Sequence, residues 1–499
     1  MGTEYWVEAP LSQLLESLES GSRPKGGVKG IAKGIPSIGA EHLASDGGFN
    51  FENIRYIPED FANSMNRGQI RHFDILVVKD GATTGKTSFV QETFPFPKAC
   101  VNEHVFICRG IKVTSKEFLF HYLKSHEGQE QIMSTFHGAA QGGISSGFAD
   151  VVIVPLPPLP EQKRIVKKLD TILPKVKNAK SRLEKIPRIL KRFRQSVLAA
   201  ACSGKLTENW REENDVVETA EDQLRKILDL RILDKRYKAY LAKINDLEAP
   251  IEWAEEDDIP SSWVKSKLGV VCPKITDGTH DTPKRLKEGV PYITGKHIRE
   301  RVIDFEHCDY VSSDDHKVIY ARCNPNKNDV LMVNIGAGTA TPSLVKVDYE
   351  FSMKNVALLK ADPSIISGSY LEYYQLRYKD YIFNQVTKGG AQPFLSLDAI
   401  KALPIHLPPP EEQQEIVRRV EKLFKLADSI EAKYNKAIER VEKIEQSVLA
   451  KAFRGELTPQ DPNDEPAEEL LKRILVEKAK LEAVKKKSKR FSPQRNRHC

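Results

Sequence analysis

The chain contains a long segment of itself twice. Leu156-Pro157-Pro158-Leu159-Pro160-Glu161-Gln162 returns as Leu407-Pro408-Pro409-Pro410-Glu411-Glu412-Gln413. At the same offset, Gln195-Ser196-Val197-Leu198-Ala199 returns as Gln446-Ser447-Val448-Leu449-Ala450, and Gly204-Lys205-Leu206-Thr207 as Gly455-Glu456-Leu457-Thr458. One ungapped offset over so long a span marks a tandem duplication, and a duplicated chain folds as repeated units. The stretches before each copy are related more loosely. Pro36, Ile38 and His42 match Pro291, Ile293 and His297, and Asp74-Ile75-Leu76 matches Asp329-Val330-Leu331. Gly138, Ala140, Gln141 and Ser145 match Gly389, Ala391, Gln392 and Ser396, and Trp6-Val7 and Trp263-Val264 open the two halves. The order is globule, helix, globule, helix.

The helical parts carry a four-three apolar spacing, the a/d seam of a coiled coil. In the first copy the seam includes Ile165, Leu169, Val176, Leu183, Leu190 and Val197. In the second it includes Ile416, Val420, Leu423, Ile430, Val441 and Val448. Each run starts after a proline-rich stop and ends near a glycine, Gly204 or Gly455. Some 40 residues at ~1.5 Å each predict a rod of about 60 Å. Pro174 and Pro187 should kink the first copy, where the second has Lys425 and Ile438. A further helix is predicted in each half, over Thr219–Ile244 and Ala467–Lys487. So long a seam needs cover, and the two copies offer each other matching stripes. The alternative is that each stripe packs on its own globule.

The globular parts read as strands and short helices. Ile75-Leu76-Val77-Val78, Val151-Val152-Ile153-Val154 and Val330-Leu331-Met332-Val333 are β-branched or aliphatic runs bounded by Gly, Pro and Asp, whereas Phe118–Lys124 and Tyr370–Tyr378 look helical. The expected fold is α+β: two α+β domains separated by long helical regions in a pseudo-twofold tandem repeat. The boundaries fall at 1–157, 158–250, 251–406 and 407–499, the last with a basic tail over Lys485–Lys489 and beyond, expected to be disordered. The net charge of +7 is unevenly spread. The two helical regions are basic and both globules slightly acidic.

Several function classes drop out. No apolar run approaches the roughly 18 residues of a membrane span, and the acidic, interrupted N-terminus has no signal-peptide pattern, so a cytoplasmic location is expected. The seven cysteines are single and unpaired in spacing, which suits reduced thiols better than zinc ligands. Gly81-Ala82-Thr83-Thr84-Gly85-Lys86-Thr87 resembles a phosphate loop but has three residues between its glycines where four are needed. The matching stretch, Gly336-Ala337-Gly338-Thr339-Ala340-Thr341-Pro342, has no lysine, so both read as turns between strands. Asn324-Pro325-Asn326-Lys327 lacks the second proline and the aromatic ring of an adenine-methyltransferase string. The twelve histidines show no metal-ligand spacing. No catalytic constellation occurs in both halves.

Two similar globules on a stiff helical spacer suit a ligand that repeats at a set distance, and duplex DNA is such a ligand. The segments 156–166, Ile186-Pro187-Arg188-Ile189-Leu190-Lys191-Arg192-Phe193-Arg194-Gln195-Ser196-Val197-Leu198 and Ala450-Lys451-Ala452-Phe453-Arg454-Gly455-Glu456-Leu457-Thr458 resemble the central and distal repeats of type I restriction–modification specificity (S) subunits. The resemblance implies two target-recognition domains that each read one half of a split, asymmetric DNA site, with the long helices antiparallel. It implies that two modification subunits dock on the chain and supply S-adenosylmethionine-dependent adenine methylation. Restriction subunits would add ATP- and Mg2+-dependent translocation and cleavage. The chain itself would be a non-catalytic recognition subunit holding no cofactor.

Loops shared by the two halves are the candidates for DNA contact. They carry His42 and His297, Lys79 with Thr83, Thr84 and Lys86, Lys296, Thr339, and the Gly-Ala-Gln turns ending at Gln141 and Gln392. Gln pairs in bidentate fashion with adenine, and Lys meets guanine or phosphate. The competing reading is that residues common to two unlike readers serve the fold or the phosphates. A basic run, Lys185, Arg188, Lys191, Arg192 and Arg194, lies off the seam and either follows spacer phosphates or forms a solvated face.

Overall fold

A computed structural model describes residues 5–138, 142–214, 218–249, 259–389 and 392–491, with side chains through 485. Contacts divide the chain into two compact units, Met1–Glu184 with Asn435–Cys499, and Lys185–Tyr434. The division cuts through the helical regions, so each unit combines one globule with helical pieces from both sequence copies.

In the first unit a four-stranded antiparallel sheet has the order Leu15–Ser20, Val105–Gly110, Ile75–Val78, Thr87–Phe89. A three-stranded sheet, Arg55–Ile57, Ile35–Ile38, Cys100–Val101, lies in the same globule, its last pair parallel. The second unit repeats both. Its four strands are Ile275–Asp277, Val356–Leu359, Val330–Val333 and Pro342–Leu344, and its three are Asp309–Val311, Val290–Thr294 and Ser352–Lys354. The continuous apolar runs have a simple cause: the central strand is covered on both faces. Ile75 and Val77 face one core with Phe118 and Leu119, while Leu76 and Val78 face another with Ile38 and Val101. Val330 and Met332, and Leu331 and Val333, split in the same way. Of the Val151–Val154 run, only Ile153 and Val154 are strand; Phe148–Val151 is helical.

The repeated Pro-x-x-Glu-Gln motif joins globule to rod. Glu161 accepts the Trp6 indole N–H at 3.0 Å, and Gln162 Oε1 accepts the backbone N–H of Ser115, the N-cap of helix Lys116–Lys124. Glu412 accepts from Trp263 at 2.8 Å, and Gln413 Oε1 from Ser367, the N-cap of helix Gly368–Gln385. Each Gln amide also donates to the carbonyl of the proline five residues back, Pro157 or Pro408, at 2.9 Å. The motif is repeated because it fixes where the rod leaves its globule.

Both expected covers for the seam are used. In the first unit, Ile165 and Leu169 pack into the globule's core together with Leu449, Ala452 and Phe453, and Lys180 pairs with Glu442 at 3.2 Å further along, an antiparallel arrangement. In the second unit, Ile416, Val420 and Phe424 share a core with Val197 and Leu198, and Arg194 pairs with Asp428 and Glu431 at 2.8 and 2.7 Å. Leu190 is buried, while Val176, Leu183, Leu423, Val441 and Val448 are half-buried. Ile430 departs from the seam at 38% exposure. The globule cores, rather than a continuous two-helix interface, take up most of the apolar stripe.

Three helical expectations need correction. Pro187 breaks the first rod instead of kinking it: helix Leu159–Leu183 ends, and Ile186–Cys202 begins with the proline in its first turn, where no N–H is required. Pro174 is accommodated inside the former. The helix expected over Thr219–Ile244 is two, Ala220–Arg231 and Lys235–Asp246, because the Asp234 carboxylate caps the second by accepting from Arg236 N. The second rod is one helix, Pro410–Phe453, and Ala467–Phe491 carries the start of the basic tail as helix where disorder was expected. Arg495 and Arg497 of that tail lie outside the described residues.

Candidate nucleic-acid interface

In each globule the shared loops gather at one end of the strands. In the first, the turn after Ile75–Val78 closes with Thr84 N and Lys86 N donating to the carbonyls of Gly81 and Thr83. Gly81 N donates to Gly142 O and Ile144 N to Lys79 O, which lays the segment 142–144 beside that turn. His104 pairs with Asp80 at 2.6 Å, and Lys79 N donates to His104 O, adding a third loop. In the second globule Gly336 N donates to Pro393 O and Leu395 N to Asn334 O, and a Cβ on Gly295 would lie 3.1 Å from Val333 Cγ1. The turns after the strands read as such; neither Gly81–Thr87 nor its counterpart opens a helix.

The candidate residues separate by exposure. Lys79 is half-buried with its ammonium 5.7 Å from the Phe106 ring centroid, Thr83 is exposed, and Lys86 is half-buried. Thr84 is half-buried and its hydroxyl donates to Gly81 O at 2.7 Å. Lys296 is exposed and shares Asp309 with Arg285, at 3.2 and 3.1 Å. Gln392 is exposed; Gln141 lies outside the described residues.

Three candidates are corrected by burial. His42 and His297 are 1% and 4% exposed, and each Nδ1 accepts a backbone N–H, of Gly39 at 2.9 Å and of Thr294 at 3.0 Å. Burial, aided by Lys296, lowers the His297 pKa and favours the neutral ring that can accept. Thr339, 1% exposed, donates to Gly336 O. All three shape turns.

At the opposite end of the central strands, charge is matched between globules. Arg109 Nε and Nη2 donate to the two Asp74 oxygens at 2.8 Å, and Lys360 pairs with Asp329 at 3.0 Å in the equivalent place. Burial raises both carboxyl pKa values despite these cations. Repetition gives no sign of His104–Asp80, since His104 has no counterpart histidine, nor of the loops 22–33 and 279–288, which differ in length and sequence. No His/Cys/Asp/Glu cluster fit for a metal occurs among the described residues, and no helix among them is long and apolar enough to cross a membrane. The described cysteines are buried.

Two copies of one architecture, each with a loop-bearing strand end and a helical arm, match the family described as the type I restriction modification DNA specificity domain, over residues 3–188 and 260–440. The chain belongs to this family. It is 34% identical over 393 residues to the type I restriction enzyme EcoBI specificity subunit of Escherichia coli, covering 76% of this chain and 75% of that protein. It is 28% identical to the StySPI specificity subunit of Salmonella potsdam, over 95% of this chain and 96% of that one. Among solved structures, one concerning complex assembly and conformational transition of the type I R-M system aligns at TM-score 0.61 and 17% identity, covering 91% of this chain and 98% of the other. The HsdS subunit from Thermoanaerobacter tengcongensis aligns at 0.50 and 18% over the same shares. At these identities the structural likeness speaks for the fold.

Proposed function

We propose that this chain chooses the DNA sequence for a type I restriction–modification complex, each globule reading one half of a split, asymmetric site. The observation that carries the reading is the doubled specificity domain, in which the same strand-end loops recur on each globule. The target-recognition domains are 1–157 and 251–406, and the helical regions 158–250 and 407–499 provide the spacer. Lys79, Thr83, Lys86, Lys296 and Gln392 meet the duplex, the lysines mainly at phosphates. Two modification subunits bind S-adenosylmethionine and methylate adenine; restriction subunits use ATP and Mg2+ to translocate and cut. The complex works in the cytoplasm.

Methylation mapping of host DNA tests this reading. Replacing the second globule with that of another specificity subunit should change one half of the methylated site and keep the other. A purified chain that consumes S-adenosylmethionine without partners would refute the division of labour.

A further inference from the structure

The two globules share their scaffold down to single residues, yet two readers of different half-sites must differ where bases are chosen. One segment in each meets that condition. It leaves the first strand of the large sheet and enters the central strand of the small one, as residues 22–33 and 279–288.

The frame of this segment is the same in both units. At its start, a Cβ on Gly21 would lie 1.6 Å from Val101 O, and one on Gly278 2.0 Å from Met353 O, so only glycine fits. Val101 and Met353 hold equivalent places in the small sheets. At its end, Gly34 and Gly289 have φ of +151° and +142°, and a Cβ there would lie 2.3 and 2.4 Å from Ile57 O and Val311 O. Between these matched glycines, length and sequence diverge.

What the frame holds is basic and exposed. Residues 22–33 contain Arg23, Lys25, Lys29 and Lys33, all exposed, and no acid. A Cβ on Gly26, Gly27 or Gly30 would meet nothing within 4 Å, while Val28 between them anchors the stretch on the cluster of Ile57, Ala62 and Cys100. Residues 279–288 contain exposed Lys284, Arg285 and Lys287 against the exposed acids Asp281 and Glu288, a smaller basic excess. Both segments reach the shared strand end. Arg23 pairs with Glu103 at 3.1 Å, and Glu103 touches the His104 that holds Asp80. Arg285 shares Asp309 with Lys296.

We propose that these glycine-framed loops enter a DNA groove and set which half-site each globule accepts, with Lys25, Lys29 and Lys33 acting in one and Lys284, Arg285 and Lys287 in the other. Lys and Arg are the side chains that read guanine edges, and the common loops around them position the backbone. The inference rests on the function proposed above and adds where the choice is made.

The test is methylation mapping with the assembled complex carrying either Lys25→Gln/Lys29→Gln/Lys33→Gln or Lys284→Gln/Arg285→Gln/Lys287→Gln. Each triple variant should relax preference in one half-site, by roughly 5- to 150-fold at a base pair it reads, and leave the other half intact. Uniform weakening with both halves still selected would overturn the proposal, reducing the loops to phosphate contacts. So would loss of preference in both halves from either variant. The unaltered half-site reports folding in the same molecule, and should a triple variant methylate nothing, single substitutions Lys29→Gln and Arg285→Gln give the same readout. A wild-type complex lacking any two-part preference would instead defeat the underlying reading.

Discussion

Trp263 donates its indole N–H to Glu412 at 2.8 Å, and Trp6 does the same to Glu161 at 3.0 Å, so one bond marks the joint of globule and rod in both halves. The two carboxylates are nevertheless supported differently. Glu412 is fully buried, accepts from Thr207 at 2.6 Å and pairs with Arg211. Glu161 is buried with one oxygen lacking a hydrogen-bond partner among the described residues, and burial raises its pKa in spite of the Trp6 bond.

The same substitution should therefore have unequal effects. Glu412→Gln strands the Arg211 charge and should cost about 3 kcal/mol, whereas Glu161→Gln should stay within about 1 kcal/mol of wild type at neutral pH. Urea midpoints of the two variants decide the point, and equal midpoints would contradict it.

Arg109→Ala leaves the Asp74 carboxylate buried without its cation and should destabilise the first globule by about 3–5 kcal/mol. Arg109→Lys should cost less, because Lys360 already serves the equivalent Asp329, although it forfeits the fork that also reaches Glu19 and the Gln69 carbonyl. Amide exchange of strand Val105–Gly110 reads both effects.

The strand-end loops predict a separation of stability from affinity. Lys79→Ala and Lys296→Ala should weaken DNA binding and each lower the salt-dependence slope by about 1, without lowering the melting temperature. His42→Ala should lower the melting temperature and leave the slope unchanged, since the ring only accepts from Gly39 N. A shifted slope for His42→Ala would return that residue to the interface.

Glu415 predicts an acid-sensitive contribution. Hydrogen bonds from Arg418 at 2.7 Å and Arg419 at 2.5 Å lower its pKa from 4.5 to about 2. The folded state then holds the proton less tightly than the unfolded chain, so the stabilisation is complete above the ordinary value and disappears as pH falls toward 2. Unfolding curves of wild type and Glu415→Gln should differ at pH 6 and converge by pH 2; a constant gap would exclude this linkage.

Periodicity and repetition made much of this visible beforehand. The rods, the central strands and the doubling could be read because apolar spacing and self-similarity are local properties. What covered the stripes could not, since spacing shows which face is apolar and is silent on what meets it. Leu449 and Phe453 pack on the first globule although they stand far along the chain from it. Repetition also misled at His42, His297 and Thr339: a residue kept in both halves is kept for what the halves share, which is the turn. The glycine-framed loops were hidden for the opposite reason, because they hold nothing in common. Trp6 and Glu161 each stand in a repeated string, but only folding brings them within a hydrogen bond.

The interleaving of the units has a consequence for synthesis. Lys185–Tyr434 is one uninterrupted stretch, whereas the other unit needs Asn435–Cys499 to join Met1–Glu184. At roughly 5–20 residues per second on the ribosome, the opening portion waits tens of seconds for its remainder. During that interval Phe118 and Tyr122 lack the Phe453 ring that later meets them at 5.3 and 5.1 Å between centroids. The unit that contains residues 1–184 is thus completed after the uninterrupted one.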